Sequence, residues 1–203
     1  LGNAKGLKKL YLRGTAIKEM PSSIEHLISL TLLTLKDCKN LVSLPCTICS
    51  LKSLEFFDLS GCSKFENLPE NLGNLKGLKK LHLSGIAIRV LPSSIEHLTS
   101  LSLLTVRDCK NLVCFPNTIR SLRLGNSLDL VGCTKFENLG NVEGLYKLDL
   151  SGTVIKELPS SIEYSTNLNF LILKDCKNLV RLPNTICSLK LLNYLDLSGC
   201  SKF

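Results

Sequence analysis

Ten cysteines and three histidines are the residues in this chain whose chemistry could be metal binding, disulfide formation or nucleophilic attack. Six of the cysteines share one address. Cys38, Cys62, Cys109, Cys133, Cys176 and Cys200 each stand three residues after a recurring leucine-frame residue (Leu35, Leu59, Val106, Leu130, Leu173 and Leu197). Thr15 and Thr153 take the same place after Leu12 and Leu150. A small side chain with a donor at a turn can serve the backbone of the neighbouring turn while filling little space. These eight residues are therefore read as a structural ladder, not as reactive thiols. Cys46-x-x-Cys49 has the spacing of half a zinc site, but its equivalents are Asn117/Arg120 and Asn184/Cys187. The pair does not recur and no second pair lies near it, so the expectation is two ordinary loop thiols and no metal. Cys114 aligns with Ser43 and Arg181, a variable surface position, and thiols left free in such number fit a reducing compartment.

No catalytic set follows from the remaining residues. His26 and His97 share a position with Tyr164, and His82 is alone on its strand. The glycines mark turns and form no phosphate loop before a helix. No nucleophile and base recur at a usable spacing, so the expectation is no enzyme, no cofactor and no small-molecule substrate. The net charge of +8 raises the question of nucleic acid. However, the cations recur singly, and few aromatic residues are available to stack on bases. Nucleic acid is not the expected partner, and neither is a membrane. No segment approaches the roughly 20 apolar residues that span a bilayer, residues 1–10 do not read as a signal peptide, and no Asn-x-Ser/Thr sequon occurs.

What must position these side chains is a repeat. The frame L-x-x-L-x-L begins at Leu7, Leu30, Leu54, Leu78, Leu101, Leu145, Leu168 and Leu192, with a degraded copy at Gly125. Most units run on to a Leu-Pro pair or its equivalent (Met20-Pro21, Leu44-Pro45, Leu68-Pro69, Leu91-Pro92, Phe115-Pro116, Leu158-Pro159, Leu182-Pro183) and then to x-x-[Ile/Leu]-x-x-Leu. Leu10 and Leu12 differ by two and share one face of a strand, opposite Tyr11 and Arg13. Ile24 and Leu27 differ by three, which suits a 3₁₀ or helical turn. Pro21 marks where the chain leaves the strand layer. One unit cannot bury its leucines, whereas a stack shares a continuous core.

A longer period overlies the first. Three unit types recur in order, marked by Gly14–Glu19, Asp37–Leu41 and Gly61–Phe65 and by their copies further along. Leu7 and Leu78 are 71 residues apart, and Leu78 and Leu145 are 67 apart, because Phe136–Leu139 runs straight into Gly140 where Phe65–Leu68 continues through Pro69–Leu72. Triplication of a three-unit block explains this pattern. Leu1-Gly2-Asn3 matches Leu72-Gly73-Asn74 and Phe203 matches Phe65, so both ends fall inside a unit and lack polar caps. The expected organisation is a single domain over 1–203 of about nine repeats, uncapped at both ends. It is expected to be irregular around 125–165, where Gly125 replaces a frame leucine, one unit lacks its Leu-Pro return and Ser165 stands in a leucine position. Ile86 replaces the turn threonine and cannot donate.

These units of 23–24 residues resemble cytoplasmic leucine-rich repeats. The phrases at Gly152–Ile162, Lys36–Pro45 and Leu59–Phe65 resemble, more narrowly, the repeats of plant resistance proteins of the tobacco N type. Those receptors join a Toll/interleukin-1 receptor domain and a nucleotide-binding domain to such repeats. The resemblance implies an α/β repeat fold, a leucine-rich-repeat solenoid. That fold is a curved right-handed coil with a parallel β-sheet on the concave face and short helical, 3₁₀ or irregular turns on the convex face. It also implies a recognition and autoinhibitory region of an intracellular immune receptor, cytoplasmic or nuclear. Its partners would be a pathogen effector or host guardee and the receptor's own nucleotide-binding domain. Nucleotide binding and NAD cleavage would belong to domains outside these residues. The alternatives are a generic cytoplasmic scaffold or adaptor and the substrate-binding repeats of an effector ubiquitin ligase.

The outward strand positions form three columns. The first is Lys9, Leu32, Phe56, Lys80, Leu103, Ser127, Lys147, Phe170, Tyr194. The second is Tyr11, Thr34, Asp58, His82, Thr105, Asp129, Asp149, Ile172, Asp196. The third is Arg13, Lys36, Ser60, Ser84, Arg107, Val131, Ser151, Lys174, Ser198. Apolar side chains where a lone domain favours polar ones mark a contact patch. The expected partner-binding residues on the concave face are Tyr11, Phe56, Asp58, His82, Leu103, Arg107, Phe170, Ile172, Tyr194 and Asp196.

Overall fold

A computed structural model describes residues 4–116, 127–140 and 143–203. Expectations placed on Leu1–Asn3, Asn117, Arg120 and Gly125 lie outside the described residues. Among the described residues nine three-residue strands recur: β1 Lys9–Tyr11, β2 Leu32–Thr34, β3 Phe56–Asp58, β4 Lys80–His82, β5 Leu103–Thr105, β6 Ser127–Asp129, β7 Lys147–Asp149, β8 Phe170–Ile172 and β9 Tyr194–Asp196. Within each sheet every strand pairs in parallel with its sequence neighbours, in one five-stranded sheet β1–β5 and one four-stranded sheet β6–β9. The pairing sets Lys9 opposite Leu32, Leu32 opposite Phe56 and Phe170 opposite Tyr194, so the strand columns are physical rows. This is a leucine-rich-repeat solenoid.

The hydrophobic frame explains the coil. Leu33, Leu35, Leu59, Leu81, Leu83, Leu104 and their counterparts point inward and are buried. Each contributes about 1.5–3 kcal/mol relative to an exposed side chain. Short 3₁₀ turns close the other side at Ser22–His26, Cys46–Ser50, Leu72–Asn74, Ser93–His97, Ser160–Tyr164 and Asn184–Ser188. Five of these six begin directly after a proline in extended geometry, as at Pro21 (φ −69, ψ 146). The carbonyl of Pro21 then accepts the Ile24 amide at 3.0 Å, which turns Ile24 and Leu27 into the core.

The junction between the two sheets is held on its far side. Cys114 bridges Val90 on one side and Asn138 on the other. The Asp108 amide donates to the Val131 carbonyl (2.9 Å), and that of Glu137 to Val113 (2.8 Å). Arg107 Nη1 meets Asp129 Oδ2 at 3.2 Å over the same step. Ser165, in its leucine position, is fully buried. Its carbonyl accepts the Leu168 amide as that of Leu27 accepts Leu30 (both 2.9 Å).

Two readings of the cysteines need correction. Cys49 is not a loop thiol: it lies on the turn Cys46–Ser50 and is 1 % exposed, because it continues the inward face begun by Ile48. Cys114 is half-buried rather than at the surface, since its backbone pairs on both sides.

Candidate functional site

The strand face opposite the leucines presents the first and second columns. Of these columns Thr34 and Asp149 are buried, and the other members are half-buried or exposed. Phe56, Asp58, His82, Leu103, Phe170, Ile172 and Asp196 are half-buried by their row neighbours, while Tyr11, Arg107 and Tyr194 are exposed.

The structure gathers these residues into two groups on separate sheets. In the first, the rings of Phe56 and His82 stand 5.1 Å apart at 38°, and His82 Nδ1 lies 3.2 Å from Thr105 Oγ1. Asp58 is opposite His82 in the register. Burial lowers the His82 pKa, against the pull of Asp58 and with the help of Lys80 and Lys36. In the second group, Tyr146, Phe170 and Tyr194 form a run of rings, 5.5 and 5.9 Å between successive centroids, with Ile172 beside Phe170 on β8. Such pairs contribute about 0.5–1.5 kcal/mol beyond their area, so the run is a rigid apolar surface. Leu103 and Arg107 lie between the groups, and Tyr11 stands apart on β1, 63 % exposed.

Tyr146 escaped the sequence reading. It precedes β7, in a sequence column that otherwise reads Lys8, Thr31, Glu55, Lys79, Ser102, Asn126, Asn169 and Asn193. An aromatic residue alone in a polar column was the available signal.

The acidic members of the second column also have a local task. Asp58 Oδ1 accepts the Ser60 amide at 2.8 Å, Asp129 that of Val131 at 3.0 Å, and Asp196 that of Ser198 at 2.9 Å. The Ser198 hydroxyl also donates to Asp196, and these bonds hold its carboxyl below the usual carboxylate range. Each of these aspartates is therefore fixed through one oxygen.

Behind the strands runs the sulfur ladder. Each thiol donates to a carbonyl of the preceding unit: Cys38 to Leu12 (3.0 Å), Cys62 to Leu35 (3.1 Å), Cys109 to Leu83 (3.1 Å), Cys133 to Val106 (2.9 Å), Cys176 to Leu150 (3.1 Å) and Cys200 to Leu173 (3.0 Å). Thr15 and Thr153 instead bond back to Leu12 and Leu150 of their own unit (2.9 and 2.8 Å). Burial pushes the Cys62 and Cys49 thiols up to about 12. Among the described residues, no three His, Cys, Asp or Glu side chains gather where a metal ion could sit. No helix among them is long and apolar enough to cross a membrane.

Known proteins share this design. The family model described as Leucine Rich Repeat matches residues 53–75. The chain is 41 % identical over 88 % of its length to Probable disease resistance protein At4g19520 of Arabidopsis thaliana, of which it spans 10 %. It is 40 % identical over 90 % of its length to TMV resistance protein N of Nicotiana glutinosa, of which it spans 17 %. Among solved structures, the leucine-rich repeat domain of the type III effector XopL superposes with a TM-score of 0.83 at 29 % identity, over 96 % of this chain and 70 % of that one. The chain thus covers less than a fifth of these plant relatives. It belongs to the leucine-rich-repeat proteins, and its repeats are those of plant disease resistance proteins of the tobacco N type.

Proposed function

We propose that residues 1–203 form one domain of about nine repeats that recognises protein partners for a plant immune receptor and catalyses nothing itself. The partner is a pathogen effector or a host protein that an effector modifies, met in the cytoplasm or nucleus. A second contact, with the receptor's own nucleotide-binding domain, holds the receptor inactive. The observation that carries the reading is the pair of aromatic groups on the open strand face, Phe56 with His82 and Tyr146 with Phe170 and Tyr194. Aromatic anchors on a rigid scaffold are the usual centre of a protein interface. Its relatives' names, disease resistance protein and resistance protein N, support the immune setting.

The test is a receptor carrying these repeats, expressed in leaves and challenged with the pathogen it responds to. Phe170→Asp and Phe56→Asp are expected to abolish the cell-death response to challenge, or to release it without challenge if the autoinhibitory contact is the one broken. A response like that of the wild type in both variants would refute the concave site.

A further inference from the structure

The first two third-type units differ by four residues, and the described residues around Gly140 show what the loss does. In the longer unit, Leu72–Asn74 form a turn packed on the turn Ser93–His97. The Gly73 amide donates to Ser94 Oγ at 3.2 Å. A Cβ on Gly73 would overlap the Ser94 carbonyl oxygen and lie 2.9 Å from His97 Cβ, so the two segments touch backbone to backbone. Asn71 Nδ2 holds the other side through the Cys46 carbonyl at 3.2 Å. In the shorter unit, Gly140 is the counterpart of Gly73 and follows Leu139 directly. Its amide turns back onto Asn138 Oδ1 at 2.8 Å, with φ at 66°.

The next turn has not changed to match. Pro159-Ser160-Ser161-Ile162 repeats Pro92-Ser93-Ser94-Ile95, yet Ser161 Oγ is buried without a hydrogen-bond partner among the described residues. A buried hydroxyl left unpaired is destabilising and rare. Beside it opens a cleft of about 770 Å³ lined by Asn138, Leu158, Pro159, Ser161, Leu182 and Pro183, with Glu137, Lys156 and the ion-paired Glu157 and Arg181 (3.0 Å) at its rim. That volume falls within the roughly 300–1,000 Å³ of sites that enclose a small ligand or a few residues of peptide.

We propose that this cleft is a docking site for a short segment of a partner protein with the chemistry of the missing four residues and the glycine after them. That segment is a Pro-Glu-Asn-Leu-Gly-like turn whose glycine amide donates to Ser161 Oγ. Segment 68–73 shows, one block earlier, how such a turn seats on the same Pro-Ser-Ser-Ile surface. A second copy of this chain is a poorer occupant, because its own Leu68, Leu72 and Gly73 are buried in its stack. The site is on the opposite side from the strand face and does not depend on that reading.

The experiment titrates the intact chain into a labelled peptide of sequence Leu-Pro-Glu-Asn-Leu-Gly-Asn, that of residues 68–74, and follows fluorescence anisotropy. Saturable binding is expected. N-methylation of the peptide glycine, or Ser161→Ala in the protein, should weaken it about threefold to tenfold, the effect of one hydrogen bond. The two changes together should do no more than either alone. Insertion of Pro-Glu-Asn-Leu between Leu139 and Gly140 should fill the cleft and abolish binding, while Phe56→Asp leaves it unchanged. If the insertion variant does not fold by circular dichroism, the N-methyl peptide decides. No saturable binding, indifference to N-methylation, or equal binding by a folded insertion variant would overturn the proposal. Self-association of the chain that the insertion abolishes would assign the cleft to a second copy and overturn it equally.

Discussion

Asp37 holds its carboxylate in the space that a side chain on Gly61 would need: a Cβ there would overlap Asp37 Oδ1 and approach Asp37 Cα to 3.4 Å. The same relation recurs between Asp108 and Gly132 and between Asp175 and Gly199. It explains why an Asp-Cys unit is followed each time by a Gly-Cys unit. Both turn residues are left-handed, Asp37 at φ 60 and Gly61 at φ 77, a region that costs a side-chain-bearing residue about 1–2 kcal/mol. Gly61→Ala is therefore expected to destabilise the chain by about 2–4 kcal/mol, strain and overlap combined. Asp37→Gly in the same chain should recover part of that loss, as urea denaturation of both single variants and the double variant would show. Additive effects would refute the contact.

The sulfur ladder predicts a graded reactivity. Cys46 and Cys187 are exposed, whereas Cys38, Cys49, Cys62, Cys109, Cys133 and Cys176 are buried. Alkylation under native conditions, followed by mass spectrometry, should label the first two rapidly and the six only on unfolding. Cys62→Ala leaves the Leu35 carbonyl without its thiol donor and should cost about 1–3 kcal/mol. Cys46→Ala should fall within about 0.5 kcal/mol of the wild type.

His82 gives the fold a pH dependence of definite sign. Its pKa is lowered in the folded chain from the ordinary 6.5, so the unfolded chain binds the proton more readily. Its contribution to stability is complete above 6.5 and declines as pH falls through 6.5 toward the folded-state value. Denaturant midpoints measured from pH 7.5 down to 5.5 should therefore fall, and His82→Gln should flatten the part of that fall due to this ring. A steeper fall in the variant would contradict the assignment.

The sequence was most informative where periodicity and chemistry agreed. The strand columns and the turns after proline follow from spacings of two and three among leucines, because a repeated unit has one way to bury its apolar edge. Side-chain partners across units were less legible. The opposition of Asp37 and Gly61 depends on a left-handed aspartate, and the ring of Tyr146 meets Phe170 only because adjacent strands are in register. Cys49 was misjudged because a Cys-x-x-Cys spacing draws attention to the pair and away from the inward face of the turn.

The break between the sheets should show in hydrogen exchange. The Leu130 and Leu150 amides donate to Asp149 and Ile172 much as those of Leu59 and Leu83 donate to His82 and Thr105 (2.8–2.9 Å). The unit that holds β6 has lost four residues of its return, and among the described residues β6 pairs with no strand on its β5 side. Leu130 and Leu150 are expected to exchange at least about tenfold faster than Leu59 and Leu83, since local openings follow local stability. Equal protection would remove the expected irregularity around 125–165.

The measurement closest to the central claim is partner capture by the open strand face. The receptor carrying these repeats would be immunoprecipitated from challenged leaves, as wild type and with Phe56, Leu103 and Phe170 all changed to Asp. The recognised effector or host protein would be quantified in each, and the melting temperature of the isolated repeats checked in parallel. Capture reduced at least about tenfold, with the fold retained, is the predicted result. Undiminished capture by a folded triple variant would contradict the account.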